Sequence, residues 1–133
     1  MAELTDEELE FAHQVFDLAR EGATEELAGY VDAGVPVNLT NSSGDSLLML
    51  AAYYVHPDTV AALLARGADH SRVNARGQTA LAAAVFRDDA EIVTLLLDAG
   101  ADPHAGPRTA VEVAQFFDLP QMAALLAARP GPS

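Results

Sequence analysis

One spacing constrains this chain more than any other. Slid against itself by 33 residues, the sequence matches over a long stretch. Gly44-Asp45-Ser46-Leu47-Leu48 lies over Gly77-Gln78-Thr79-Ala80-Leu81, and Val60-Ala61-Ala62-Leu63-Leu64 lies over Val93-Thr94-Leu95-Leu96-Leu97. Gly67-Ala68-Asp69 lies over Gly100-Ala101-Asp102. A step back reaches Leu27, Tyr30, Val31 and Gly34. The step forward shortens to 30, carrying Thr79 to Thr109, Leu81 to Val111, Ala84 to Ala114 and Leu96 to Leu126. A period of this size means stacked supersecondary units, each burying one face on its neighbour. The 133 residues make four such units. Removing either end unit would expose an internal face.

Each unit reads as a helix pair. Ala occurs 27 times and Leu 17 times, Trp is absent and strand-favouring residues are sparse, which favours helices. Ser46 is a natural N-cap for a helix ending near Tyr54, and Pro57 suits the first turn of the next, which stops before Gly67. The equivalents are Thr79 to Arg87 and Ala90 to Ala99, then Thr109 to Asp118 and Pro120 to Ala128. Unit one opens on Thr5-Asp6-Glu7-Glu8, a capping-box pattern, with a longer helix to about Glu21 and a second from Thr24 to Ala33. Turn-rich segments, Val35 to Ser43, Ala68 to Arg76 and Ala101 to Arg108, connect the units. Three core lines should run along the stack: Val15, Leu48, Leu81 and Val111; Leu18, Ala51, Ala84 and Ala114; and Tyr30, Leu63, Leu96 and Leu126.

Composition removes several classes of function. Without cysteine there are no disulfides, thiol nucleophiles or cysteine-ligated metals. The longest apolar run, Leu47 to Val55, is too short to span a bilayer, and the acidic N-terminus is not expected to act as a signal peptide. The expectation is a soluble cytoplasmic protein. Twenty acidic residues against seven basic, all arginine, leave a net charge of −13, which opposes binding to nucleic acid or an anionic membrane.

The pattern Gly-x-Thr-x-Leu, then Ala-Ala, then Val-x-x-Leu-Leu-x-x-Gly-Ala-Asp resembles the ankyrin repeat. The match runs from about residue 12 to 128 and is strongest in units two and three. The resemblance implies an all-α solenoid of four helix-turn-helix units joined by β-hairpin-like loops, similar to small stand-alone bacterial ankyrin proteins. The expected units are 1–40 as N-terminal cap, 41–73, 74–106 and 107–128 as C-terminal cap, with a flexible tail at 129–133. Several positions depart from the family pattern. The Thr-Pro-Leu-His start reads Ser46-Leu47-Leu48-Met49, Thr79-Ala80-Leu81-Ala82 and Thr109-Ala110-Val111-Glu112, so the family's histidine network is missing. The glycine between the two helices is Val55, Asp88 and Asp118, and survives only as Gly22. Aspartate tolerates a left-handed backbone but valine does not, so the turn after Tyr54 is expected to differ from the family norm. The third hairpin, three residues short with Pro103, Gly106 and Pro107, should be tight.

The resemblance also implies protein binding through hairpin tips and the concave face of the inner helices. The paired positions facing that groove are Tyr53 and Tyr54, Phe86 and Arg87, and Phe116 and Phe117. Five of the eight aromatic residues fall in these six positions. Arg76 and Arg108 join Arg87 on this side, with Arg72 close by. Aromatics and arginine dominate binding hot spots, so these eight residues form the candidate partner-binding site, suited to a loop carrying acids beside apolar anchors. Tyr53, Phe86 and Phe116 have an alternative role as core between units. The first 33 residues, with ten acids and one arginine, read as a solvated cap or as a field steering a basic partner. The last helix is so apolar that the chain, otherwise a monomer, has a second reading as an assembly protein dimerising through this cap. Its small alanines argue against much exposed area.

Other chemistry is thin, and no enzyme activity, cofactor or metal is expected. His56-Pro57-Asp58 resembles the tripeptide of J-domain co-chaperones but lacks the basic helix before it and falls at an ordinary helix-helix turn. His70 and His104 with Asp69 and Asp102 resemble turn residues of the repeat more than metal ligands. Ser42, Ser43 and Ser46 have no nucleophile-elbow setting, and no phosphate-binding glycine loop is present.

Overall fold

The computed structural model describes residues 5–128; the expected tail at 129–133 lies outside them. The chain folds into α1 (Asp6–Glu21), α2 (Thr24–Asp32), α3 (Leu47–Tyr53), α4 (Pro57–Ala65), α5 (Ala80–Phe86), α6 (Ala90–Asp98), α7 (Ala110–Phe116) and α8 (Pro120–Ala128). The described residues hold no strand. Successive helices pair within each of four units, while α1, α3, α5 and α7 pack side by side in one layer and α2, α4, α6 and α8 in a second. The all-α stack of helix-turn-helix units is the observed architecture.

The inner helices begin alike. Hydroxyls of Thr5, Ser46, Thr79 and Thr109 accept hydrogen bonds from the N–H groups of Glu8, Met49, Ala82 and Glu112, each such cap being worth about 1 kcal/mol. They also end alike. The N–H groups of Ala23, His56, Asp89 and Leu119 reach back five residues to the carbonyls of Leu18, Ala51, Ala84 and Ala114, at 3.0, 2.9, 3.2 and 2.8 Å. That closure needs a left-handed residue just before the donor. Gly22, Asp88 and Asp118 supply it at φ 74°, 58° and 52°.

Val55 supplies it too, at φ 65°, which corrects the expectation that this turn would differ. A left-handed backbone costs a residue with a Cβ about 1–2 kcal/mol. Against that cost stand two turn-closing hydrogen bonds, Val55 N–H to Ala52 at 3.2 Å and His56 N–H to Ala51 at 2.9 Å. The Val55 side chain also packs on the core, and units one and three fix where α4 must go.

The three core lines are closed in the middle of the stack and loosen at its ends. Leu48, Leu81, Ala51, Ala84, Leu63 and Leu96 are all at most 1% exposed. In units one and four, which have one neighbouring unit each among the described residues, Val111, Leu18 and Tyr30 are only half-buried, while Val15, Ala114 and Leu126 stay buried at 0%, 2% and 4%. In unit one the fully buried small residue is Ala19, one position past Leu18.

Asn41 and Asn74 shape the first two connections. Each carboxamide oxygen accepts two backbone N–H groups, from Ser43 and Asp45 and from Arg76 and Gln78, at 2.9–3.0 Å. The first connection carries one antiparallel bridge, Thr40 with Ser46. The shortened third has Pro107 where the pattern needs an asparagine. It is held instead by Arg108 N–H to the Gly77 carbonyl at 3.1 Å and Val111 N–H to that of Pro103 at 3.3 Å.

Candidate functional site

The end of each inner helix presents two side chains. Tyr53, Phe86 and Phe116 are the last residues of α3, α5 and α7, and Tyr54, Arg87 and Phe117 are their C-caps. The left-handed residue that follows turns the chain towards the next helix. Tyr53 and Phe86 are 37% and 40% exposed and Phe116 is 82% exposed. The first column is therefore not core between units. The small residues Ala51 and Ala84 are the ones buried in that seam, both at 0% exposure.

The rings touch in an unbroken band. Tyr54 meets Tyr53 edge-on at 5.3 Å between centroids, and Tyr53 stacks on Phe86 at 6.1 Å with the planes 7° apart. Phe86 meets Phe117 edge-on at 5.2 Å, and Phe117 meets Phe116 at 4.9 Å. The Arg87 guanidinium lies 5.4 Å from the Tyr53 ring centroid, a cation–π contact. Each aromatic pair is worth about 0.5–1.5 kcal/mol beyond its burial, which favours this arrangement of the band although it faces water.

Two clefts flank the band. One of about 290 Å³ holds Tyr53, Tyr54 and Arg76 beside Arg20, Asp45 and Met49. The other, about 310 Å³, is formed by Arg108, Glu112, Val113, Phe116 and Phe117. All eight candidate residues thus fall on the band or in its clefts. Arg72 does not: it pairs with Asp69 at 3.6 Å and lines neither cleft. Arg76 approaches Asp45 at 4.0 Å, and among the described residues neither Arg87 nor Arg108 has an ion pair. Three charged cleft residues lie outside the eight candidates: Arg20, Asp45 and Glu112. Arg20 was findable, since it lies 33 residues before Tyr53 and so begins the same column. Asp45 was not, because its place in the cleft depends on Asn74, whose Nδ2 donates to it at 2.8 Å across the units.

The remaining candidates have structural work. His56 turns its Nε2 to the Arg20 carbonyl at 2.6 Å, sealing unit two against unit one. The Asp69 carboxylate accepts from the Ser71 hydroxyl and N–H, and the Ser71 hydroxyl is the main reason its carboxyl is held below the usual range, with the N–H second. Asp102 accepts from His104 N–H at 2.9 Å. Among the described residues no three His, Asp or Glu side chains gather as metal ligands. None of the described helices is long and apolar enough to cross a membrane. In the last helix Met122 and Leu126 point inward at 1% and 4% exposure, so the outward face is mostly alanine: Ala123, Ala124, Ala127 and Ala128.

A family model described as ankyrin repeats (3 copies) matches residues 16–106. A Pseudomonas aeruginosa protein named for ankyrin repeats is 55% identical over 58 residues, covering 44% of this chain and 34% of that protein. A Treponema pallidum protein named as ankyrin repeat-containing is 34% identical over 111 residues, covering 80% of this chain and 37% of its own length. The chain spans about a third of each of these bacterial relatives.

Proposed function

This chain belongs to the ankyrin-repeat family, whose repeats are in general protein-interaction modules, and on that premise we propose that it is a non-catalytic, cytoplasmic protein-binding module. Its site is the groove lined by Tyr53, Tyr54, Phe86, Arg87, Phe116 and Phe117, with Arg76 and Arg108 at the rim. The observation that carries this reading is the aromatic band: five contacting rings, each more than a third exposed. Exposed apolar surface of this extent marks interaction sites. A partner loop would set apolar anchors on the rings and carboxylates towards Arg87 and Arg108, which have no ion pair among the described residues.

The test is Tyr54→Ala, Arg87→Ala and Phe117→Ala together. The triple variant removes three ring contacts and one cation–π contact, at a stability cost of about 2–4 kcal/mol. Its fold should persist at low temperature while partners captured by the unaltered chain from bacterial cytoplasm are lost. Phe116→Ala is the milder companion: 82% exposure makes its stability cost small, yet partner capture should weaken. Unchanged capture by both variants would refute the reading.

A further inference from the structure

The N-terminal unit carries a second surface, which adjoins the groove at Arg20, Asn41 and Ser43. An end unit ordinarily turns a polar face to water. Here α1 exposes Leu9 at 43% and Phe11 at 39%. The cause lies in register. α1 has 16 residues where α3, α5 and α7 have seven. Its extra turns stand where the later units place a hairpin, and a cylinder of helix does not fill the space beside the first connection as a hairpin would. Two clefts result, of about 740 and 710 Å³, meeting at Ala12 and Leu39. The first has Leu9 and Phe16 on its wall, the second Phe11 and Val35.

The connection itself has an open edge here. Neighbouring connections are joined by main-chain bonds, Ala75 N–H to the Ser43 carbonyl at 2.9 Å and Arg108 N–H to that of Gly77 at 3.1 Å. The repeat places Ser42 at the position of Ala75, 33 residues earlier. Its N–H has no hydrogen-bond partner among the described residues, and Ser42 is exposed and lines the first cleft. The charged side chains lining the two clefts are Glu7, Glu8, Asp17 and Arg20 together with His13. In the first cleft Arg20 is bound to Asp17 at 2.8 Å, so the excess of carboxylates is that of Glu7 and Glu8 in the second, on a unit with ten acids and one arginine in its first 33 residues.

We infer that this face docks an extended, basic segment of a partner protein in which apolar residues alternate with lysine or arginine. One main-chain carbonyl of the segment accepts from Ser42 N–H, extending the ladder of connections by one rung. Apolar side chains lie against Leu9, Ala12, Phe16 and Leu39 in the first cleft, and where the segment runs on past Ala12 and Leu39 into the second its basic residues face Glu7 and Glu8. This is strand addition at an open edge, with the charge sign set by the acidic rim.

The test uses synthetic peptides on the whole chain, by fluorescence anisotropy. The probe is a fluorescein-labelled peptide of alternating lysine and leucine. Its controls replace leucine with serine, keeping the charge, or lysine with glutamate, keeping the apolar face. The lysine–leucine peptide should bind at least about tenfold more tightly than either control. Leu9→Asp, at an exposed position that leaves the fold intact by circular dichroism, should weaken it by a similar factor. Amide hydrogen exchange at Ser42 should slow on binding. Loss of binding in the Tyr54→Ala, Arg87→Ala, Phe117→Ala variant would overturn the proposal by assigning the peptide to the groove. Equal binding of the lysine–serine peptide would overturn it as charge attraction alone, and an unprotected Ser42 amide would overturn the docking geometry.

Discussion

Replacing Gly22 by alanine tests how unit one is joined to unit two. Two things oppose the added methyl. Gly22 is left-handed at φ 74°, a conformation that costs alanine about 1–2 kcal/mol. The new Cβ would also fall on the imidazole of His56, whose Nε2 donates to the Arg20 carbonyl at 2.6 Å. Moving the ring forfeits that bond, worth about 0.5–1.5 kcal/mol. In the other direction, alanine narrows the unfolded ensemble and returns about 0.4–1 kcal/mol. The net expectation is a loss of about 2 kcal/mol, read as a lower urea midpoint at unchanged m-value. The two opposing causes can be separated. In a His56→Ala background only the backbone cost remains, so the double variant should be about 1 kcal/mol more stable than the sum of the singles implies. Additive effects would show that the His56 ring does not cover Gly22, and the account of this joint would be wrong.

Val55→Gly should stay within about 1 kcal/mol of the unaltered chain, because relief of the left-handed backbone offsets the lost side chain. Val60→Gly, at a fully buried helical position, should cost about 3 kcal/mol or more; similar costs in urea unfolding would contradict the strain argument. Leu96→Ala, in an inner unit and 0% exposed, should cost about 3–4 kcal/mol. Leu126→Ala in the end unit should cost less and fray α8 before the rest, visible in hydrogen exchange. The carboxyls of Asp69, held down by the Ser71 hydroxyl, and Asp32, held down by the Arg66 hydrogen bond, both sit below their ordinary value. Groups shifted downward stabilise above their unfolded value, near about 3.9, and lose that contribution as pH falls through the lower folded value. The advantage of the unaltered chain over Asp69→Asn should therefore be constant from about pH 7 to 5 and shrink below about pH 4; an advantage fading near neutrality would refute it.

Much of the fold was legible because it is periodic. Thr5, Ser46, Thr79 and Thr109 announce the inner helices, and the capping bonds they make span only three residues. Pro57 and Pro120 open outer helices. The central apolar lines follow from the 33-residue step, since equivalent positions meet equivalent neighbours. Six of the eight candidate residues were legible in the same way, as two columns beside Ala51 and Ala84, and Arg76 and Arg108 only as arginines of the connections on the same side. Which rings would lie inside was not, because column position alone does not say whether the seam beneath has room.

By itself, the sequence determined the four-unit helical stack, its caps and the line of aromatic and arginine positions along one side. All of these rest on local signals multiplied by repetition. The tertiary structure alone decided that Val55 turns left-handed, that Tyr53 and Phe86 stack at the surface, that His56 closes a joint between units, and that the long α1 leaves an apolar cleft at an end expected to be polar. Each depends on a neighbour far away in the chain. Valine's own preference is worth about 1–2 kcal/mol, and packing from the adjoining units outweighs it.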